Sequence, residues 1–418
     1  MHRTRIGLVV AAVILTLAVT EAVRAENWPR FRGPNGSGIS AEKGIPVRWT
    51  DRDYAWNVTL PGVGHGEPII WEDTLFVTSA IDEGAVRYFF CLDALSGRIR
   101  WVRSIGMNRS HKHAKNSWAS TTPTTDGELV YVSFADEERY VVTAYDFSGE
   151  IVWRRILGSF ESQHGLGVSP ILFEDLLIVP NDQKGPSSIV ALDKRTGRTV
   201  WSTLRAIRRT SYATPCIVQL PGQPPQIICV SGATGVTSLD PSTGMLNWAA
   251  GEFPLRTVAS PVFGGGLVIA SCGQGGRYGV LQIAVDPSLD AGRSGSGRIR
   301  WSRTKYIPYV PTPIVYNGRL FNWNDQGIVA CVDLQTGKDV WVKRVGGNYS
   351  GSPVCVDGKL YCISENGDVT VVRASDTFEL LGQTPLGDPS HSTPAVANGR
   401  MYLRSYHRLA CLPARPAR

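Results

Sequence analysis

Side chains that could perform acid–base or metal chemistry occur in few groups in this sequence. The carboxylate pair Glu137-Glu138 lies in a polar, turn-rich stretch, which is typical of a solvated loop. His111 and His113 alternate and, on a strand, would share a face suited to Zn²⁺ or Cu²⁺. Their basic surroundings indicate a solvated loop instead, and no third ligand lies nearby in sequence. Without a His-Glu-x-x-His motif or a Ser-His-Asp pattern, we predict no catalytic residue and no metal site.

A second group of candidates is defined by position. Seven Ser/Thr-Pro dipeptides and one variant, Glu67-Pro68, recur along the chain, and an aromatic or cationic residue stands three to six positions before each proline. If the copies surround one axis, these side chains rim a central funnel suited to an anionic or planar ligand. The alternative is that they pack against neighbouring copies. The eight candidate ligand-binding residues are His65, Trp118, His164, Tyr212, Arg256, Tyr309, Tyr349 and His391.

The repeat that must position these residues has a period near 45, since successive prolines are 40 to 55 residues apart. After each proline, two apolar runs flank a tight turn such as Asn317-Gly318 or Asp357-Gly358, which predicts a β-hairpin. Most copies continue with an aspartate, a Ser/Thr-Gly turn and a tryptophan, as in Asp193 to Gly197 to Trp201. This second hairpin makes four strands in each copy.

The tryptophans recur in phase with the repeat on the predicted outermost strand, where a large ring can dock between neighbouring sheets. We therefore predict an all-β chain, an eight-bladed β-propeller of four-stranded antiparallel blades. The last copy lacks an outer strand, and residues 54–60 form a strand without a blade, so the N-terminal strand should close the ring. Seven blades is the alternative, because Leu380-Leu381 replaces the tryptophan in the seventh copy. The docking tryptophans are Trp56, Trp101, Trp153, Trp201, Trp248, Trp301 and Trp341.

The pattern Ala-Leu-Asp-x-x-Thr-Gly-x-x-x-Trp at residues 191–201 resembles the tryptophan-docking repeat of the pyrroloquinoline quinone (PQQ)-like β-propellers. The resemblance extends from about Trp56 to Leu412, and residues 28–36 look like the N-terminal segment of secreted bacterial members. This family includes quinoprotein dehydrogenases and the non-enzymatic periplasmic scaffold BamB. The repeat implies the fold and says little about function, which depends on the site.

The enzymatic branch of that family implies PQQ and Ca²⁺ in the funnel, a carboxylate base and, in many members, a disulfide between adjacent cysteines. This chain has no Cys-Cys dipeptide and no Cys-x-x-Cys-His haem site, and it is shorter than the alcohol-oxidising members. Cys91, Cys331 and Cys411 occupy equivalent repeat positions, so we interpret them as core residues. We expect no cofactor, with PQQ and calcium only in the dehydrogenase alternative.

The N-terminus predicts export. Arg3 and Arg5 precede an apolar run over residues 6–19, and Ala25 ends a small-residue cleavage site, so residues 1–25 are interpreted as a cleaved signal peptide. Residues 26–47 form an N-terminal segment, 48–412 the propeller and 413–418 a basic tail. An uncleaved anchor is the alternative, although a membrane span needs about 20 apolar residues.

Charge and composition narrow the class of partner. The net charge of +7 falls to about +5 without residues 1–25, and no run of lysine and arginine suggests nucleic-acid binding. We expect a monomer without a membrane span in the mature chain, located in the periplasm or outside a bacterial cell. The predicted function is a non-catalytic, BamB-like scaffold that binds a protein partner at the cell envelope. A PQQ-dependent dehydrogenase, or a propeller that binds a carbohydrate or other small ligand in its central funnel, is the alternative.

Overall fold

The computed structural model describes residues 26–207, 209–274, 280–291 and 296–415, so the predicted signal peptide lies outside the described residues. Eight blades of four antiparallel strands surround one axis, which confirms the predicted eight-bladed propeller. A short strand of the N-terminal segment, Ile39–Ser40, adds to blade 7 by parallel pairing with its innermost strand, Val354–Val356. The hydrophobic core lies between adjacent blades, where their apolar faces pack together. In the described residues, no helix has the length and apolar character needed to cross a membrane.

Within blades 1 to 7 the strands run in chain order from the axis outward, and short 3-10 turns are the only helices in the described residues. The strands of blades 1 to 4 are Ile69–Trp71, Thr74–Ile81, Val86–Asp93 and Ile99–Gly106; Thr124–Thr125, Leu129–Ala135, Tyr140–Asp146 and Ile151–Ile156; Ile171–Phe173, Leu176–Asn181, Ser188–Asp193 and Thr199–Leu204; Cys216–Val218, Gln226–Ser231, Gly235–Leu239 and Leu246–Ala250. Those of blades 5 to 8 are Val262–Gly264, Leu267–Cys272, Leu281–Val285 and Ile299–Arg303; Ile314–Tyr316, Arg319–Trp323, Ile328–Asp333 and Asp339–Arg344; Val354–Val356, Lys359–Ile363, Asp368–Arg373 and Leu380–Pro385; Ala395–Ala397, Arg400–Arg404, Arg408–Pro413 and Trp56–Thr59. The 3-10 turns are Pro34–Gly36, Asp51–Asp53, Asp82–Gly84, Leu289–Ala291 and Ser296–Arg298.

The ring is closed by the N-terminal strand, as predicted. Trp56–Thr59 pairs antiparallel with Arg408–Pro413, with Trp56 opposite Cys411, and forms the outermost strand of blade 8. Because this pairing supplies the strand that the last copy lacks, the seven-blade alternative is wrong. The eight cysteines of the chain are buried and free, so those at the repeat positions are core residues as expected.

Seven of the eight blades carry on their outermost strand a tryptophan that packs against the next blade, and in blade 7 this strand is Leu380–Pro385, which has none. The indole N–H of Trp301 donates to the Leu334 carbonyl at 2.8 Å, and the ring lies against Gly337, where a Cβ would come within 2.7 Å of it. The aspartate turn therefore requires glycine for space as well as for its positive φ of 69°. Six of the seven predicted tryptophans bond in this way: Trp56 to Ala94, Trp101 to Phe147, Trp153 to Lys194, Trp201 to Pro241, Trp301 to Leu334 and Trp341 to Ser375.

Trp248 docks differently, because blade 5 carries an insertion in the turn that should receive it. Its indole N–H donates to Oε1 of Gln226 in its own blade at 2.8 Å. The ring is completely buried against core residues of blade 5, and the Arg298 guanidinium lies 4.8 Å from its centroid. The predicted position between blades is therefore correct, while the bond to the neighbouring turn is replaced.

The Ser/Thr residues that precede the repeat prolines form a ring of hydrogen bonds around the axis. In seven places the backbone N–H of one blade donates to the hydroxyl oxygen of the next blade at 2.9–3.1 Å. The ring runs through Glu67, Thr122, Ser169, Thr214, Ser260, Thr312, Ser352 and Thr393.

Glu67 occupies the eighth position of this ring and fastens the N-terminal segment across one end of the central channel. Its Oε1 accepts from the indole N–H of Trp28 at 2.5 Å, and its Oε2 accepts from the backbone N–H of Arg32 at 2.7 Å. The buried guanidiniums of Arg30 and Arg32 donate to the carbonyls of Pro215 and Pro313 on the opposite side of the ring. Glu67, the residue of the ring that is neither serine nor threonine, thus binds the N-terminal segment.

Replacing Gly337 tests the docking of tryptophan on the glycine turn. Gly337→Ala is expected to lower the free energy of unfolding by roughly 2–4 kcal/mol, because backbone strain and overlap with Trp301 add together. Gly318→Ala in the same blade is the matched control: its φ is 72° and a Cβ there meets nothing within 4 Å. This change should lower the free energy of unfolding only by the backbone strain at positive φ, about 1–2 kcal/mol. Equal losses in urea unfolding would contradict the role of the ring contact.

A pH series tests the burial of Glu67. Burial raises the pKa of its carboxyl from 4.5 to about 8, against the lowering effect of the Arg32 N–H and the Trp28 indole. Between these two values the unfolded chain is ionised at this site while the folded chain keeps the proton. The free energy of unfolding should therefore fall as pH rises from 4.5 to 8, by at most about 1.4 kcal/mol per pH unit.

Glu67→Gln removes this titration, so the stability of the native protein relative to the variant is expected to decrease over the same pH range. Urea titrations at several pH values measure the difference. An increase with pH would mean that Glu67 is ionised in the folded protein.

Candidate functional site

A cavity of about 200 Å³ lies on the axis of the propeller and is lined by residues of every blade. Its wall is formed by the hydrogen-bonded ring described above, since all seven Ser/Thr residues of that ring line the cavity. Phe31 of the N-terminal segment reaches the cavity from the plugged end. In the described residues none of the seven ring hydroxyls donates a hydrogen bond to another protein group, so their protons are available to a ligand. The cavity is therefore a polar chamber with an aromatic floor.

Five of the eight residues predicted at the funnel rim line this cavity. They fall into two groups, one from blades 8 and 1 and one from blades 3 to 6. In the first group the rings of His65 and His391 are 4.5 Å apart, and both contact Tyr406. The Nδ1–H of His391 donates to the Lys115 carbonyl at 3.1 Å, which leaves its Nε2 to accept from the Tyr406 hydroxyl at 3.2 Å. The five cavity residues are His65, His164, Tyr212, Tyr309 and His391.

The other three predicted residues do not line the cavity. Trp118 donates its indole N–H to the Ser110 carbonyl at 2.8 Å and packs on the core between blades 1 and 2. Tyr349 is buried in the core of blades 6 and 7, edge-on to Trp323. Arg256 lies beside the cavity, with Nη1 3.3 Å from the hydroxyl of Tyr309. The structure corrects the rim position expected for Trp118 and Tyr349; their loops differ in length, so distance from the proline does not determine direction.

The loop over residues 107–123 contributes a part of the site that the sequence did not predict. The ring of His113 lies 4.6 Å from that of His164, and its backbone N–H donates to the His164 carbonyl at 3.3 Å. Lys115 forms an ion pair with Glu365 of blade 7 at 2.9 Å. The loop therefore spans the open end of the channel. Residues 111–113 form a loop in which His111 and His113 are exposed, as predicted, and His113 also borders the cavity together with Lys115 and Asn116.

Burial lowers the pKa of three histidines that line the cavity and so favours their neutral form. It lowers the pKa of His164 to about 4, with a further lowering by the nearby Arg256 cation. The pKa of His65 is well below its usual value for the same reason, with His391 and Arg404 adding to the effect, and burial also lowers the pKa of His391. Each neutral imidazole offers one donor and one acceptor. The chamber suits a small ligand with hydrogen-bonding groups.

The residues present do not suit the calcium ion that a PQQ enzyme requires. Ca²⁺ is held by six to eight oxygen ligands that include carboxylates, and none of the described residues lining the cavity carries a carboxylate. The described part of the chain also contains no cluster of three or more histidine, cysteine, aspartate or glutamate side chains arranged for a metal. Glu67 lies next to the floor of the chamber, but both of its oxygens are bound to the N-terminal segment.

Comparison with known proteins gives relatives of two kinds. Outer membrane protein assembly factor BamB from Moranella endobia is 25% identical over 240 residues, which cover 51% of this chain and 56% of that protein; the chain thus spans about half the length of this curated relative. BamB from Moraxella catarrhalis has a similar structure, with a TM-score of 0.60, 15% identity, and coverage of 86% of this chain and 99% of that one. A europium-containing methanol dehydrogenase follows with a TM-score of 0.55, 12% identity, and coverage of 90% and 89%.

At these identities the structural similarities show the fold alone. The sequence match to a family model is more specific: the model described as outer membrane protein assembly factor BamB matches residues 47–224, 141–377 and 325–412. Together these overlapping matches cover the whole propeller, from the ring-closing strand to the last blade. The chain therefore belongs to this BamB family of PQQ-like β-propellers.

Proposed function

We propose that this protein is an exported, non-catalytic β-propeller scaffold that binds a protein partner at the cell envelope. The observation that carries the proposal is the chemistry of the axial cavity. Where a quinone enzyme needs carboxylates for calcium and for a base, this chamber presents neutral imidazoles, hydroxyls and amides. Such groups can recognise a ligand, but the described lining residues do not supply the carboxylate oxygens that calcium requires. The relation to the outer membrane protein assembly factors supports a scaffold role.

Export is proposed from the sequence of residues 1–25, in which an apolar run follows Arg3 and Arg5. Oε2 of Glu26, the first residue after the predicted cleavage site, accepts from the hydroxyl of Ser40 at 2.6 Å and from the backbone N–H of Ala41 at 2.9 Å. Trp28, two residues further on, is completely buried.

A second candidate function, binding of a small anionic or planar ligand, is favoured by the convergence of five rim residues on one chamber. The ring hydroxyls offer donors, and Tyr212 and Tyr309 offer flat apolar faces. A scaffold and a ligand-binding propeller are compatible, because the chamber lies on the axis and partner-binding surfaces lie outside it.

Reconstitution with PQQ and Ca²⁺ tests the non-catalytic assignment. After incubation and gel filtration, the mature protein is expected to retain no quinone absorbance and to reduce no electron-accepting dye with alcohols as substrates. The reason is the lack of carboxylate ligands in the cavity. A known quinoprotein dehydrogenase, treated in parallel, is the positive control. A stoichiometric chromophore with dye reduction would overturn the assignment.

Calorimetric titration with benzoate, a small planar anion, tests the second candidate. Replacing His164 with Ala is expected to weaken binding at least tenfold, because one wall of the chamber and a hydrogen-bonding group are lost. Since the pKa of His164 is about 4, affinity should be equal at pH 8 and pH 6. His407→Ala is the matched control, because His407 is exposed and does not line the cavity. No heat of binding, or equal effects of both changes, would exclude this candidate for benzoate-like ligands.

A further inference from the structure

The second residue after each repeat proline presents its backbone to the face crossed by the N-terminal segment. In four blades the N-terminal segment accepts a hydrogen bond from the backbone N–H at this position. Ile70 exchanges two hydrogen bonds with the backbone of Trp28, at 2.8 and 2.9 Å. The N–H of Thr125 donates to the Pro29 carbonyl at 2.9 Å, and the N–H of Cys355 donates to the Gly38 carbonyl at 2.7 Å. The innermost strand edges are therefore docking positions for an extended chain.

Blade 4 shows that the pairing needs only the peptide chemistry. The side-chain amide of Asn35 accepts from the N–H of Ile217 at 2.9 Å and donates to its carbonyl at 2.7 Å. This is the pair of bonds that a neighbouring strand would make. The edge thus binds any group that presents a donor and an acceptor with peptide spacing.

The equivalent positions of blades 3 and 5 are open. Leu172 and Phe263 have the same register within their blades as Ile70 has in blade 1, opposite Leu177 and Val268 respectively. In this register their N–H groups point away from the second strand, as that of Ile70 does, and neither donates to another segment of the described residues. Both side chains are half-buried. Their counterparts in blades 6 and 8, Val315 and Val396, are not among the residues that line the groove containing Leu172 and Phe263.

A groove of about 460 Å³ joins the two open edges. It is lined mainly by apolar groups, and its other wall is the N-terminal segment, so it continues an interface already made by this chain. The buried Arg30 also lines it, and the Nε–H of Arg30 has no acceptor in the described chain. The lining residues are Pro29, Arg30, Asn35, Thr124, Thr125, Leu172, Phe173, Ile217, Gln219 and Phe263.

We propose that this groove binds an extended segment of a protein partner, which adds its backbone to the open inner edges of blades 3 and 5 and places apolar side chains in the groove. The backbone of an added strand can form hydrogen bonds with an unpaired strand edge. Every second side chain of that strand would then contact the apolar lining of the groove. The four edges occupied by the chain itself show the geometry that the partner would repeat. The inference rests on the proposed scaffold function and names the surface that performs it.

The first test uses an acetylated, amidated eight-residue peptide of alternating threonine and valine as a probe of strand addition. Saturating peptide is expected to slow amide hydrogen exchange at Leu172 and Phe263 at least tenfold, measured by NMR. Leu172→Asp places a charge in the groove and should abolish this protection at Phe263. Leu204→Asp, on the outermost strand of the same blade, is the matched control, because Leu204 is 85% exposed and lies outside the groove. Unchanged exchange at both amides with peptide present overturns the proposal.

The second test separates this inference from the proposed function. A photo-crosslinking phenylalanine analogue replaces Phe263 or, for comparison, Leu204, and the mature protein is irradiated in its own cell envelope. An adduct through Phe263 to an extended segment of another protein, lost in Leu172→Asp, is expected. Adducts at Leu204 alone would refute the groove while leaving the scaffold. An adduct of Phe263 with a second copy of the chain, or no adduct at Phe263, would also refute it.

Discussion

Hydrogen bonds between backbone N–H groups and hydroxyls around the axis are the constraint on which this propeller depends. Eight chain segments meet there, too far from solvent for their N–H groups to remain unpaired without cost. At seven of the eight positions a serine or threonine supplies the acceptor for the preceding blade. The proline that follows has no N–H to satisfy. The Ser/Thr-Pro dipeptide therefore provides hydrogen-bond partners for the backbone N–H groups at the crowded axis. Glu67, at the eighth position of the ring, also accepts hydrogen bonds from Trp28 and Arg32.

The periphery uses a second, independent interaction. There the indole rings dock on glycine turns, and the exception at Trp248 shows what is essential. When the receiving turn is interrupted by an insertion, the ring still fills the space between blades, and only its hydrogen-bond acceptor changes. Burial of the indole ring is thus the contribution common to these tryptophans, whereas the acceptor of the indole N–H can differ from one blade to another.

Most of the fold could be predicted from the sequence because its determinants are local and repeated. Turn glycines, the proline dipeptide and the tryptophan recur in step, and the missing outer strand of the last copy required Trp56–Thr59. The cavity was less predictable. Tyr309 and Tyr349 stand at the same distance from their prolines, yet Tyr309 lines the cavity and Tyr349 is buried in the core between blades. The path of each loop, which the repeat pattern does not determine, therefore decides the direction of the side chain. His113 could not be predicted, because a loop of another blade brings it over the axis. Docking of the N-terminal segment depends on contacts across nearly 300 residues of chain, such as that between Arg32 and Pro313.

The closing strand has a consequence for biogenesis. A chain that is synthesised from its N-terminus presents Trp56–Thr59 long before the partner of this strand, Arg408–Pro413, becomes available. Until then, an unpaired strand edge and the apolar flank of blade 1 are exposed, and such surfaces aggregate. Completion of the circle is therefore a late event with a high entropic cost of loop closure. During the whole interval between the appearance of these two strands, the nascent chain needs protection, by factors that hold it or by rapid delivery of the rest of the chain.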